Sequence, residues 1–102
     1  MTRWSGRAAQ VLLRRVLATY GSQCHLCQHP IDVRLLGQRH PDGPSVDHLI
    51  PRSKGGTNDM GNLRPAHQRC NSRRGNRPLT PALLARFRSR PARASGLRAG
   101  FF

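Results

Sequence analysis

The chain has 102 residues, with 18 Lys or Arg against four Asp and no Glu, and a formal net charge of +14. That length sets one small domain. The lack of any apolar run near the ~20 residues a bilayer demands, the Arg14-Arg15 interruption of the first apolar stretch and an odd count of three cysteines argue against a membrane span, a secretory leader and an exported disulfide scaffold. Seventeen of the 18 cations are Arg, the side chain that grips phosphate in a planar fork, so the composition points to a polyanionic partner, nucleic acid, ahead of a merely solvated surface.

In chain order, Ser5 is placed to cap a helix running to about Tyr20, with Gly21 as its stop. Ala8, Val11, Leu12, Val16 and Tyr20 form its expected apolar stripe. Cys24-His25-Leu26-Cys27 reads as a tight knuckle, with His25 turned to solvent. A Pro- and Gly-bearing loop follows from Gln28 to Pro44, within which Ile31-Asp32-Val33 could pair briefly as a strand. Ser45 to Ile50 carries the best strand signal and ends at Pro51. Arg52 to Asp59 is a basic, turn-rich loop, Asn62 to Pro65 a short return strand, and Ala66 to Gly75 a short helix. Thr80 then caps a last helix with Pro81 at its first position, running to about Arg88. Residues 91–102 read as a disordered basic tail with a terminal Phe101-Phe102 pair of no evident use, leaving residues 1–90 as the domain.

A small core often needs a staple, and the cysteines supply one. Cys24 and Cys27 form a C-x2-C pair; His67 and Cys70 form an H-x2-C pair, with 39 residues between the two. Three thiolates and an imidazole suit Zn²⁺ in a closed tetrahedron, which is structural rather than catalytic. No cysteine is left over, and closing the site pins the intervening chain at both ends. His29 and His40 have no assigned role.

Asp47 and His48 lie between the two zinc half-sites, with Asn62 beyond them and Asn71 directly after Cys70. A neutral imidazole takes a proton from water near pH 7, and carboxylate and amide oxygens are hard donors suited to Mg²⁺ or Mn²⁺. Alone, Asp47-His48 could be an Asp orienting a surface His, and Asn62 could merely form a turn. The combination, interleaved with the zinc ligands, favours a reactive site. Neighbours on a strand face opposite sides, so a twist or bulge is needed for Asp47 and His48 to reach one site. On a helix, Cys70 and Asn71 diverge by ~100°, so one can face zinc and the other the hairpin.

Cys24-x2-Cys27, Val46 to Pro51, Gly55-Gly56, Asn58, Asn62 to Pro65 and His67-x2-Cys70-Asn71-x2-Arg74-Gly75 together resemble the HNH endonuclease family over about residues 20–77. The resemblance implies an α+β architecture, the ββα-metal (His-Me finger) fold, here with an N-terminal helix and a zinc knuckle. It implies His48 as general base, Asp47 as ligand of a catalytic divalent cation, and Asn62 as a brace of the loop that orients His48. Asn71 stands where the family often has a His metal ligand, Arg74 where Lys is common, and His67 where Cys is the more usual zinc ligand. With Arg74, the cations Arg52, Lys54, Arg73 and Arg77 are expected to hold the phosphate backbone.

The expected activity is hydrolysis of DNA phosphodiester bonds, with structural Zn²⁺ and catalytic Mg²⁺ or Mn²⁺ and double-stranded DNA as substrate. A non-catalytic zinc-stapled DNA-binding module is the alternative, distinguished by having no use for Asp47, His48 and Asn71 together. The five aromatics offer few stacking platforms for single strands, which disfavours an RNA-directed protein. Resemblance to small freestanding family members suggests phage DNA packaging beside a terminase, with restriction-like defence and homing as rivals. The expected location is the cytoplasm, that of the host cell if the chain is phage-encoded.

Overall fold

The computed structural model describes residues 6–89; Ser5 and the segment 91–102, including Phe101 and Phe102, lie outside the described residues. Helix α1 (Arg7–Tyr20) runs without internal Gly or Pro and stops at Gly21, whose φ of 87° is one that glycine adopts without a Cβ penalty. Its N-cap is Gly6, which makes no side-chain cap. The buried face centres on Leu13 and Val16; Val11 is 50% exposed and Tyr20 37%, so the apolar stripe is rotated from the one expected. The reason is tertiary. The helix packs on both strands of a hairpin, and the side that meets them is set by that docking. Tyr20 instead donates its hydroxyl to the Met60 carbonyl at 2.8 Å, under the Arg64 guanidinium 4.3 Å from its ring centre.

The hairpin is β1 (Pro44–His48) and β2 (Leu63–His67), antiparallel, paired residue for residue from Pro44↔His67 to His48↔Leu63. No bulge interrupts it. Beyond His48 the Leu49 N–H still donates to the Asn62 carbonyl at 2.8 Å, which closes the base of the connecting loop. Residues 66–67, expected to open a helix, complete β2, so α2 is shorter (Gln68–Arg74) and ends at Gly75 with φ 62°. Thr80 accepts from the Leu83 N–H at 3.1 Å and Pro81 occupies the first turn of α3 (Pro81–Arg88), as the capping pattern requires.

Ile31-Asp32-Val33 is not a strand. Ile31 is buried, and Asp32 caps a one-turn 3-10 helix (Val33–Leu35), accepting from the Arg34 N–H at 3.1 Å and from its guanidinium at 2.8 and 2.9 Å. Pairing stops at a single antiparallel bridge, Gln23 with Pro30, and the Ile31 N–H on the Ser22 carbonyl (2.8 Å), because the Asp32 side chain then bonds backbone two residues on. The core gathers Cys24, Leu26, Cys27, Ile31, Ala66, Cys70, Leu83 and Phe87 around the knuckle. Among the described residues no helix is long and apolar enough to cross a membrane.

Candidate metal centre and active site

The knuckle is shaped by backbone bonds before any side chain acts. Cys24 donates its N–H to the His29 carbonyl (3.0 Å), Gln28 returns one to the Cys24 carbonyl (2.8 Å), and Gln28 takes φ 68° to turn the chain. This points both thiols at the start of α2, where His67 is the N-cap and Cys70 sits on the first turn. The four ligand atoms of Cys24, Cys27, His67 and Cys70 lie within 4.8 Å of one another, and all four residues are buried. His67 Nδ1 is 3.4 Å from Cys27 Sγ and 3.8 Å from Cys70 Sγ. Tetrahedral zinc with sulfur at ~2.3 Å and nitrogen at ~2.0–2.1 Å has edges of roughly 3.5–3.8 Å, so the donors fit the ion. His67 Nε2–H donates to the Pro30 carbonyl at 2.9 Å, which turns the Nδ1 lone pair toward the sulfurs.

The electrostatics agree. Hydrogen bonds from Cys27 and Cys70 drive the Cys24 thiol far below its ordinary range, whereas those same contacts with Cys24 and Cys27, added to burial, push Cys70 up. Burial alone would lower His67, but its bonds to Cys24 and Cys27 outweigh that and raise it to about 9. Cys24 is the thiol favoured in its charged form, and a divalent cation bound here would draw the protons off the others.

Asp47 and His48, adjacent on an unbulged strand, meet different partners. Asp47 is 3% exposed. Its Oδ1 accepts from Arg74 Nη1 at 2.8 Å and its Oδ2 from His25 Nε2 at 2.7 Å. Each carboxylate oxygen has two lone pairs, so acceptor capacity remains for a hard cation. His48 Nε2 donates to Asn58 Oδ1 at 2.8 Å. Asn71 donates through Nδ2 to the Val46 carbonyl (2.9 Å) and to Ser45 Oγ (3.2 Å), which anchors its amide beside β1 and leaves Oδ1 as its oxygen donor. Asn62 clamps the loop after β1: Oδ1 accepts from the Ile50 N–H (2.8 Å), while Nδ2 donates to the carbonyls of Thr57 (2.8 Å) and Ile50 (3.2 Å). Gly56 lies so close to this clamp that a Cβ there would fall 1.7 Å from the Ile50 carbonyl oxygen.

The expected phosphate-gripping cations divide. Arg52 and Lys54 are exposed on a one-turn 3-10 helix just after β1, and Arg73 is exposed over the Phe87 ring at 4.8 Å. Arg77 is exposed, with its guanidinium turned back onto the carbonyls of Arg73 (2.6 Å) and Arg74 (3.1 Å). Arg74 does not belong with them. It is 1% exposed and spends its donors on Asp47 and on the carbonyls of His48, Leu49 and Arg77. A buried carboxylate, two carbonyls at the hairpin end and one just past α2 compete better for a guanidinium than solvent does.

His25 is likewise not turned to solvent, because Asp47 claims its ring. Neither the His25–Asp47 contact nor the Asn58–His48 contact is visible from spacing; the only signal for His25 was an unusual polar residue inside a buried knuckle. A model of the HNH endonuclease family matches residues 24–77. No curated protein matches the chain.

Proposed function

The chain belongs to the HNH endonuclease family, a nuclease-type, DNA-cleaving family, and on that premise we propose that it is a divalent-metal-dependent DNA endonuclease with His48 as general base. The observation that supports this reading is that the same hairpin carries or adjoins each of the residues concerned. Asp47 and His48 close β1, Asn71 presents its amide from α2, and Asn62 clamps the loop that follows.

Asp47 and Asn71 supply the oxygen donors that would hold Mg²⁺ or Mn²⁺; bound there, the cation would stabilise charge on the phosphate during displacement. The chain's own residues do the rest. His48, whose ring Asn58 orients at 2.8 Å, takes a proton from water. The resulting hydroxide attacks phosphorus, the bond to the 3′ oxygen breaks, that oxygen takes a proton from solvent water, and 5′-phosphate and 3′-hydroxyl ends result. Asn62 holds the Ile50–Thr57 loop against the strand, so the ring keeps its place. Arg52, Lys54, Arg73 and Arg77 grip the backbone of double-stranded DNA without reading its sequence. Packaging of phage DNA beside a terminase is the setting we propose, on the family resemblance alone.

Supercoiled plasmid incubated with the parent and with His48→Ala, in Mg²⁺, Mn²⁺ or chelator, tests the proposal. The parent is expected to nick or linearise plasmid only with a divalent ion, and His48→Ala to bind DNA without cutting it. A parent that binds DNA but never cuts it would establish the non-catalytic DNA-binding module instead.

A further inference from the structure

We propose that His25 is a positioning residue that ties the zinc knuckle to the Asp47 carboxylate; the inference rests on Asp47 being a ligand of the catalytic cation. His25 lies between two zinc ligands, Cys24 and Cys27. Its backbone is fastened on both sides. Its N–H donates to the Pro65 carbonyl on β2 at 3.0 Å, and its carbonyl accepts from Arg88 Nη2 on α3 at 3.0 Å. The ring therefore starts from a fixed point, and its Nε2–H reaches Asp47 Oδ2 at 2.7 Å with only 16% of the side chain exposed.

This is a short, charge-assisted bond in a mostly dry setting. Arg74 holds the other oxygen, so the carboxylate has one donor on each oxygen and one orientation. A ligand held this way does not have to be ordered when a cation arrives, and such outer partners typically contribute ~10–100-fold to metal affinity or activity. The knuckle therefore does more than close the fold. Zinc that holds Cys24 and Cys27 in place also holds the ring between them, and through it the angle of Asp47. A residue present only to fill space would need neither the Nε2 donor nor the short distance.

The test uses the full zinc-loaded chain with His25→Leu and His25→Gln, the second keeping an amide N–H near the position of Nε2. Zinc stoichiometry, Mn²⁺ affinity by titration calorimetry without DNA, and plasmid cleavage are measured. His25→Leu is expected to keep one zinc and to lose ~10–100-fold in Mn²⁺ affinity and in cleavage at limiting metal, with His25→Gln recovering most of both. A folded, zinc-loaded His25→Leu with the parent's Mn²⁺ affinity overturns the proposal, as does a His25→Gln no better than Leu. Should His25→Leu fail to fold, His25→Gln is compared with His25→Asn, whose amide is too short. A Gln variant at parent level with a weakened Asn variant upholds the proposal, and equal behaviour overturns it. A parent that binds Mn²⁺ but never cuts sinks the nuclease reading, whereas a cutting parent matched by its His25 variants sinks this inference alone.

Discussion

Replacing Arg74 separates a buried structural cation from a phosphate contact. In Arg74→Ala the Asp47 carboxylate, itself 3% exposed, loses its guanidinium partner, and the carbonyls of His48, Leu49 and Arg77 lose a donor. Removing one partner of a buried ion pair costs about 3–5 kcal/mol, and each carbonyl left short of a partner adds up to about 1–3 kcal/mol. A chain of 102 residues has about 5–15 kcal/mol in total. Arg74→Ala should therefore lose half or more of its stability, or fail to fold. Arg74→Lys keeps the charge but not the fork, and about 1–3 kcal/mol of loss is expected. Urea unfolding of the zinc-loaded proteins, followed by circular dichroism, measures both. The salt dependence of DNA binding by a folded charge-removing variant, Arg74→Gln, gives the second readout. If Arg74→Ala unfolds within about 1 kcal/mol of the parent, or Arg74→Gln lowers the salt slope by about one, Arg74 faces DNA and the reasoning fails.

Three further outcomes are expected. Cys24→Ser, or treatment with a strong zinc chelator, should abolish cooperative unfolding, because zinc bound by this cluster would contribute its binding energy to folding; a chelated protein with an unchanged melting curve would contradict it. Gly56→Ala places a Cβ 1.7 Å from the Ile50 carbonyl oxygen and 2.6 Å from its carbon, so backbone must shift. About 1–3 kcal/mol of destabilisation and a drop in cleavage should follow, with zinc content unchanged in a colorimetric assay. Asp32 is held below the usual carboxylate range by the Arg34 guanidinium hydrogen bond. A depressed folded value contributes stability that is present above the unfolded value of about 3.9 and is lost as pH falls below it. The parent's advantage over Asp32→Asn in thermal midpoint should therefore shrink as the pH falls through that range, and an advantage that grew would refute the assignment.

Much of this protein is local in origin and so is readable along the chain. The Cys24–Cys27 and His67–Cys70 pairs are each set by a turn or a helical step, and three soft donors with one imidazole have few uses other than zinc. Thr80-Pro81 and Gly21 delimit helices by the backbone groups they satisfy or the dihedrals they permit. Partner choice across long separations follows no such rule. The face of α1 that is buried depends on where the hairpin docks. Arg74 and Asp47 are 27 residues apart, and His25 and Asp47 are 22 apart, yet each pair forms one contact. Arg74, by type and spacing, resembles the exposed cations at Arg73 and Arg77. Only the folded hairpin, which presents Asp47 and the carbonyls after it to α2, turns that one arginine inward. Composition and spacing determined which chemistry the chain carries; the enclosure of charge away from water, where an ion's partner must be found in the protein, decided which residues hold Asp47 in place.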